Sequence, residues 1–284
     1  MNHYDPKGES AQARVNVKKF VEDNMDKLWE VFIPLAPYIA GLYLLDAIIS
    51  DVYFSDSKNG FGLFGLLSTY FSTVFVISWH RIVIHGPDNY VPMDPFAPKK
   101  HELVFIGMGF LIGLIIGIIG IGSLVGAAIT QSSAAIILAI FIFFAMIYLA
   151  FRCCLYFPAK ATNADLTMGQ AFHMSKGYLW RIIWVSFRAS VKWMLLLFAY
   201  LIVMVLLISA IVYSLQLEAG LNTLGYIFAL PSHLFFSPIF AAIGVTTLSN
   251  YYLYIIQKDP RYSYTKEEKE REQLRKAIDD EGEL

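Results

Sequence analysis

Long unbroken apolar runs constrain this chain more than any other feature. A helix needs about 20 consecutive apolar residues to cross a hydrocarbon core of about 30 Å. Six runs approach that length, near residues 31–53, 62–79, 103–129, 133–151, 189–214 and 235–257. They are continuous and do not alternate, which excludes a closed β-barrel. Composition agrees: hydrophobic residues make up 57% of the chain and charged residues 16%, against about 45–50% and about 25% in soluble domains. The expected fold is therefore an all-α, polytopic membrane helix bundle with six transmembrane helices. Three regions follow: a tail over 1–30, the six-helix domain over 31–257 and a charged tail over 258–284. The polar stretch ahead of the first run argues against a cleavable signal peptide.

Charge distribution sets the expected orientation. If the N-terminus is cytoplasmic, the inner face holds residues 1–30, 80–102, 152–188 and 258–284. Of the 22 Lys and Arg residues, only Lys58 then falls in a loop on the opposite side, where Asp51, Asp56 and Glu218 sit. That bias follows the positive-inside rule and places both termini in the cytoplasm. Tyr251, Tyr252, Tyr254, Trp79, Trp180 and Trp184 are expected to form the inner aromatic belt. The net charge of -1 points to no nucleic-acid partner.

The segments between the runs carry the remaining polar chemistry. "VNVKKFVEDNMDKLW" (15–29) places Val17, Phe20, Val21, Met25 and Leu28 at helical spacing, which predicts an amphipathic helix on the inner surface. It is read as a lead-in to the first span, with lipid sensing as the second reading. "GPDNYVPMDPFAP" (86–98) holds four prolines and one glycine, so no helix persists there. An ordered loop is expected, with Tyr90, Val91, Met93 and Phe96 returning to the membrane or meeting a partner. In the tail, Thr265 and Glu268 form a capping box, and Glu267–Arg271 and Glu272–Lys276 are i,i+4 pairs. This predicts an exposed helix, or a segment that docks.

Inside the runs, Gly109, Gly113, Gly117 and Gly120 line one stripe of the third span. Such stripes let helices approach closely, within the bundle or at a homodimer seam. Asp46 in the first span and His233 near the last form a candidate intramembrane polar pair, since ionisable groups in lipid are costly. Asp51 and Asp56 follow closely, so Asp46 is equally read as the start of the wet outer surface. Pro231 and Pro238 bracket His233 and predict a break there, with a short helix over 222–230. Asp165 is expected to cap a short helix that Gly177 ends. Trp180, Arg181, Trp184, Arg188, Lys192 and Trp193 open the fifth span as an aromatic-basic cluster that suits an anionic lipid headgroup. Cys153 and Cys154 are adjacent, a strained arrangement for a disulfide, and lack ligand spacing for zinc. No metal site or cofactor is expected, and no hydrolase or phosphate-binding motif is present.

"VISWHRIVIHGPDNY" (76–90) ends the second run with Trp79, His80, Arg81 and His85. His80 and His85 are five apart, so on a helix they diverge by ~140° and do not chelate. The stretch is read as the polar lip of a helix leaving the bilayer, with headgroup binding as the sharper second reading. "WHRIVIHG" (79–86) and "GQAFHMSKGYLWRI" (169–182) resemble the YciC-like group of bacterial inner-membrane proteins. That group is related to the membrane domain found beside some glycerophosphodiester phosphodiesterases. Ala171, Phe172, Ser175, Gly177, Trp180 and Arg181 carry the match. The resemblance implies a multi-pass protein of the bacterial inner membrane with a role in envelope or lipid homeostasis. It also implies that Trp79, His80 and Arg81 clamp the Trp180–Arg181 segment or a phosphate. His80-Arg81 is followed by Ile82, so the His-Arg-Gly motif of the phosphodiesterases is not matched. The functional expectation is a non-catalytic scaffold or assembly subunit with membrane lipids and a protein complex or homodimer as partners. A permease or channel and a lipid-modifying enzyme are the alternatives.

Overall fold

The structure is a computed structural model that describes residues 10–53, 63–130, 132–215 and 221–258. Lys58, Asp56, Glu218 and the charged tail from 259 onward lie outside the described residues. Among the described residues the regular elements are all helical. In chain order they are α1 (Ser10–Asp23), α2 (Met25–Phe32), α3 (Ala36–Tyr53), α4 (Leu63–His85) and α5 (Lys100–Ile115). A π-helical turn (Ile116–Ile121) leads to α6 (Gly122–Thr130), followed by α7 (Ser133–Arg152), α8 (Tyr156–Ala161), α9 (Met168–Met174), α10 (Leu179–Leu215) and α11 (Leu221–Lys258).

Five stretches are long and apolar enough to cross a membrane: Phe64–His85, Lys100–Thr130, Ser133–Arg152, Leu179–Ile211 and Ala229–Ile256. A sixth is added if Met25–Phe32 and Ala36–Asp46, bent by 56°, act as one span. The bend falls at Pro34, which has no N–H to continue the helical ladder. Two sequence expectations change here. The amphipathic segment is divided at Asn24, whose side-chain amide donates to the Phe20 carbonyl at 2.8 Å. No break separates 222–230 from the last span, because α11 runs through both Pro231 and Pro238.

The chain divides into two compact units, Met1–Phe96 with Trp184–Thr247, and Ala97–Ile183 with Leu248–Leu284. In the first, Val17, Val21, Leu28, Phe32 and Ile39 of α1–α3 are buried with Phe75, Ile77, Trp79 and Ile82 of α4 and Ile239, Ala242 and Ile243 of α11. The apolar stripe of α1 and α2 thus contributes to a protein core. The most apolar window of α10, by contrast, is 0% buried. Leu195, Phe198, Val205 and Leu206 face outward, as expected of a helix whose solvent is lipid.

In the second unit, Leu155, Ala159, Leu166 and Ala171 are buried among α8 and α9 and their connections. α9 is capped by Thr167, whose hydroxyl accepts from the Gln170 amide while the Gln170 side chain accepts from the Thr167 N–H. Asp165, expected as the cap, is exposed two residues earlier. Gly177 adopts φ +84°, the left-handed conformation anticipated at the end of this helix. The glycine stripe is used at two of its four positions. A Cβ at Gly120 would come within 3.2 Å of the Phe143 ring, and one at Gly109 would lie 3.8 Å from the Phe157 ring. A Cβ added at Gly113 or Gly117 would meet no described atom beyond the helix's own backbone within 4 Å.

Candidate functional site: a pinned proline strap and a basic groove

Ser78, Trp79, His80 and Arg81 near the end of α4 are buried and not part of a solvated lip. Gly86 ends the helix with φ +92°, and the proline-rich chain turns back along the face it has just left. Arg81 donates to the Val91 carbonyl at 3.2 Å, the Met93 N–H donates to the Ser78 hydroxyl at 3.0 Å, and the Tyr70 hydroxyl donates to the Pro95 carbonyl. Tyr70, Ser78 and Arg81 lie eight and three residues apart, which places them on one side of α4. The strap therefore runs antiparallel to about 16 Å of helix. Phe96 reaches the rings of Tyr38 and Phe71, with centroids 5.9 and 6.5 Å apart. Non-helical backbone beside a membrane span must have its polar groups satisfied by protein. Prolines reduce the number of donors to satisfy, and the α4 side chains take up the groups named above.

Trp79 is fully buried. Its Nε1–H is shared between the Ala242 carbonyl at 3.1 Å and the Thr246 hydroxyl at 3.0 Å, which ties α4 to α11. His80 is 1% exposed and Arg81 7%, so neither is placed to meet a headgroup at a surface, as the sequence suggested. His85, Asp88 and Asn89 are the exposed residues of that stretch. The strap, α2, α3 and α4 border a half-open pocket of about 360 Å³ lined by Glu30, Tyr38, Ser78, Tyr90 and Met93 among others. Burial and the neighbouring Glu30 charge hold the Tyr90 phenol above its usual pKa.

The seven residues expected to bind a headgroup are divided between the two units. Trp79, His80 and Arg81 are core or strap contacts of the first unit, whereas Trp180 and Arg181 belong to the second. Trp180 is 75% exposed, as an interfacial tryptophan should be. Tyr251 and Tyr252, expected beside it in a belt, are buried. Arg188 and Lys192 do share a site, but with α1. An open groove of about 1150 Å³ lies between α1 and α10, lined by Lys18, Lys19, Glu22, Trp184, Phe187, Arg188, Lys192, Leu195 and Leu196 among others. Lys192 pairs with Glu22 at 3.1 Å, and the Arg188 guanidinium lies 4.4 Å from the Trp184 ring centroid. Sequence reasoning placed Lys18 and Lys19 only on a solvated face. They share the groove with α10 residues, and Glu22 beside them pairs with Lys192 across 170 positions, which local patterning does not reveal.

Asp46 and His233 are not joined by a hydrogen bond or ion pair. The His233 imidazole stacks on Tyr43 instead, with centroids 5.6 Å apart and 18° between planes. In the second unit, Phe172 and Ser175 of the motif hold the chain against Arg152. The Ser175 hydroxyl donates to the Arg152 carbonyl at 2.7 Å. Arg152 in turn donates to the Phe172 carbonyl at 2.6 Å and lies over its ring at 4.2 Å. Burial raises the pKa of both thiols there, with Cys154 pushed up to about 12. Among the described residues, no group of three or more His, Cys, Asp or Glu side chains is arranged to hold a metal ion.

Fold and site together define an all-helical, multi-pass membrane protein with one satisfied polar strap and one open basic groove. No protein-family model matches the chain, and neither a curated protein nor a solved structure matches it.

Proposed function

We propose that this chain is a non-catalytic integral protein of a bacterial cytoplasmic membrane, with both termini in the cytoplasm. It acts as a scaffold or assembly subunit in envelope-lipid homeostasis, and its docking surface is the proline strap. One observation carries the reading. The strap is fixed to α4 by the hydrogen bonds of Tyr70, Ser78 and Arg81, yet Val91 is 64% and Phe96 71% exposed. Ordering a loop costs backbone entropy of about 1–2 kcal/mol per residue. Apolar side chains held outward in a fixed geometry are the pre-organised anchors that interfaces reward.

A photo-crosslinking residue at position 91 or 96 tests this in cells. The expected result is one discrete protein adduct, lost when Ser78→Ala and Arg81→Leu release the strap. Adducts to lipid alone at both positions overturn the reading. A permease is the second reading, favoured by the bend at Pro34 and the strap bordering one cavity with Glu30, since broken helices mark many transporter sites. Glu30-dependent uptake into proteoliposomes selects it.

A further inference from the structure

We propose that the groove between α1 and α10 is a binding site for an acidic phospholipid. Its phosphate sits between Arg188, Lys192 and the α1 lysines, and its acyl chain lies along Leu195 and Leu196. The proposal rests on the preceding reading only for the chain's place in a bilayer.

Charge is the first argument. Four cations line the groove, Lys18, Lys19, Arg188 and Lys192, against the single carboxylate of Glu22. That carboxylate is already shared, 3.1 Å from the Lys192 Nζ and 3.9 Å from the Lys18 Nζ. Among the described residues Arg188 and Lys19 have no acidic partner, so the groove carries excess positive charge in need of an anion. Pre-organisation is the second argument. The Arg188 guanidinium lies over the Trp184 ring, 4.4 Å from its centroid, an arrangement that restrains it while leaving N–H donors for a phosphate oxyanion.

Position decides between a lipid and a soluble anion. Beyond Lys192, residues 193–211 of α10 contain no Asp, Glu, Lys or Arg. Leu195, Leu196 and Phe198 are exposed at 66%, 46% and 64%. The cations therefore stand where the charge-free surface begins, the level at which a phosphate meets an acyl chain. A groove of about 1150 Å³ walled by Trp184, Phe187, Leu195 and Leu196 is also far larger and more apolar than a free phosphate needs.

Full-length protein in mild detergent, given mixed micelles of phosphatidylglycerol and phosphatidylcholine, tests the site by native mass spectrometry. The wild type is expected to retain phosphatidylglycerol over phosphatidylcholine by about tenfold. Arg188→Gln with Lys192→Gln abolishes that preference, whereas Lys176→Gln leaves it unchanged. Glu22→Gln strengthens it, because removing the one carboxylate frees Lys192. Equal retention of the two lipids by the wild type overturns the proposal, as does an unchanged preference in the Arg188/Lys192 variant. Displacement of the lipid by millimolar glycerol phosphate also overturns it, by showing a soluble-anion site. If the double variant does not fold, the wild-type preference and the Glu22→Gln response decide. Cross-linking from the strap is read separately, so either proposal can fail while the other stands.

Discussion

Trp79 shows how one side chain changes meaning between sequence and fold. At the end of an apolar run, next to His80 and Arg81, it reads as an interfacial anchor. In the structure its indole donates to two acceptors on α11 and packs against Phe20 and Phe75, with centroids 6.3 and 6.1 Å away. Trp79→Phe keeps most of the ring and removes the donor, leaving Thr246 and the Ala242 carbonyl short of a partner. The expected loss of stability is about 1–2 kcal/mol, measured by unfolding in detergent. Thr246→Val costs less, because the Ala242 carbonyl still accepts. The double variant is less than additive, since both changes act on one interaction. Arg81 follows the same logic: a cation beside a proline run looks like a phosphate ligand until the backbone carbonyl it serves is known.

At the scale of elements, legibility followed the range of the interactions. The five long apolar helices were readable because periodicity and run length are local properties. So was the left-handed end at Gly177, where φ +84° needs only a glycine. The glycine stripe of the third span was readable as a stripe, but not as to which positions touch anything. Gly120 sits on the π-helical turn facing Phe143, whereas Gly113 faces open space. Gly120→Leu forces its side chain into Phe143 and is expected to cost about 1–3 kcal/mol. Gly113→Leu is tolerated within the chain. Thermal unfolding of the two variants side by side checks the contrast. Equal tolerance would mean that the helix shifts freely at this turn, contrary to close packing there.

For the whole molecule, the span count decides the topology. If the bent pair α2–α3 crosses as one span, the total among the described residues is six, and that even number puts both chain ends on one side. If it does not, the total is five and the ends lie on opposite sides. Charge bias favours six. Reporter tags at the two ends are therefore expected to be protected or exposed together, a result read by protease accessibility in sealed vesicles. What the sequence determined by itself was the solvent: unbroken apolar runs with cations gathered between alternate pairs require helices in lipid, because exposed backbone is too costly there. What only the tertiary structure decided was the use of the polar residues between and at the ends of those runs. Arg81 went inward to a carbonyl on the strap, whereas Arg188 and Lys192 line a groove with α1, where Lys192 meets Glu22 across 170 positions. A hydrogen-bonding or charged group carries no mark of its partner in its own neighbourhood. Partners across long chain separations are set by how helices pack, and that information exists only in the fold.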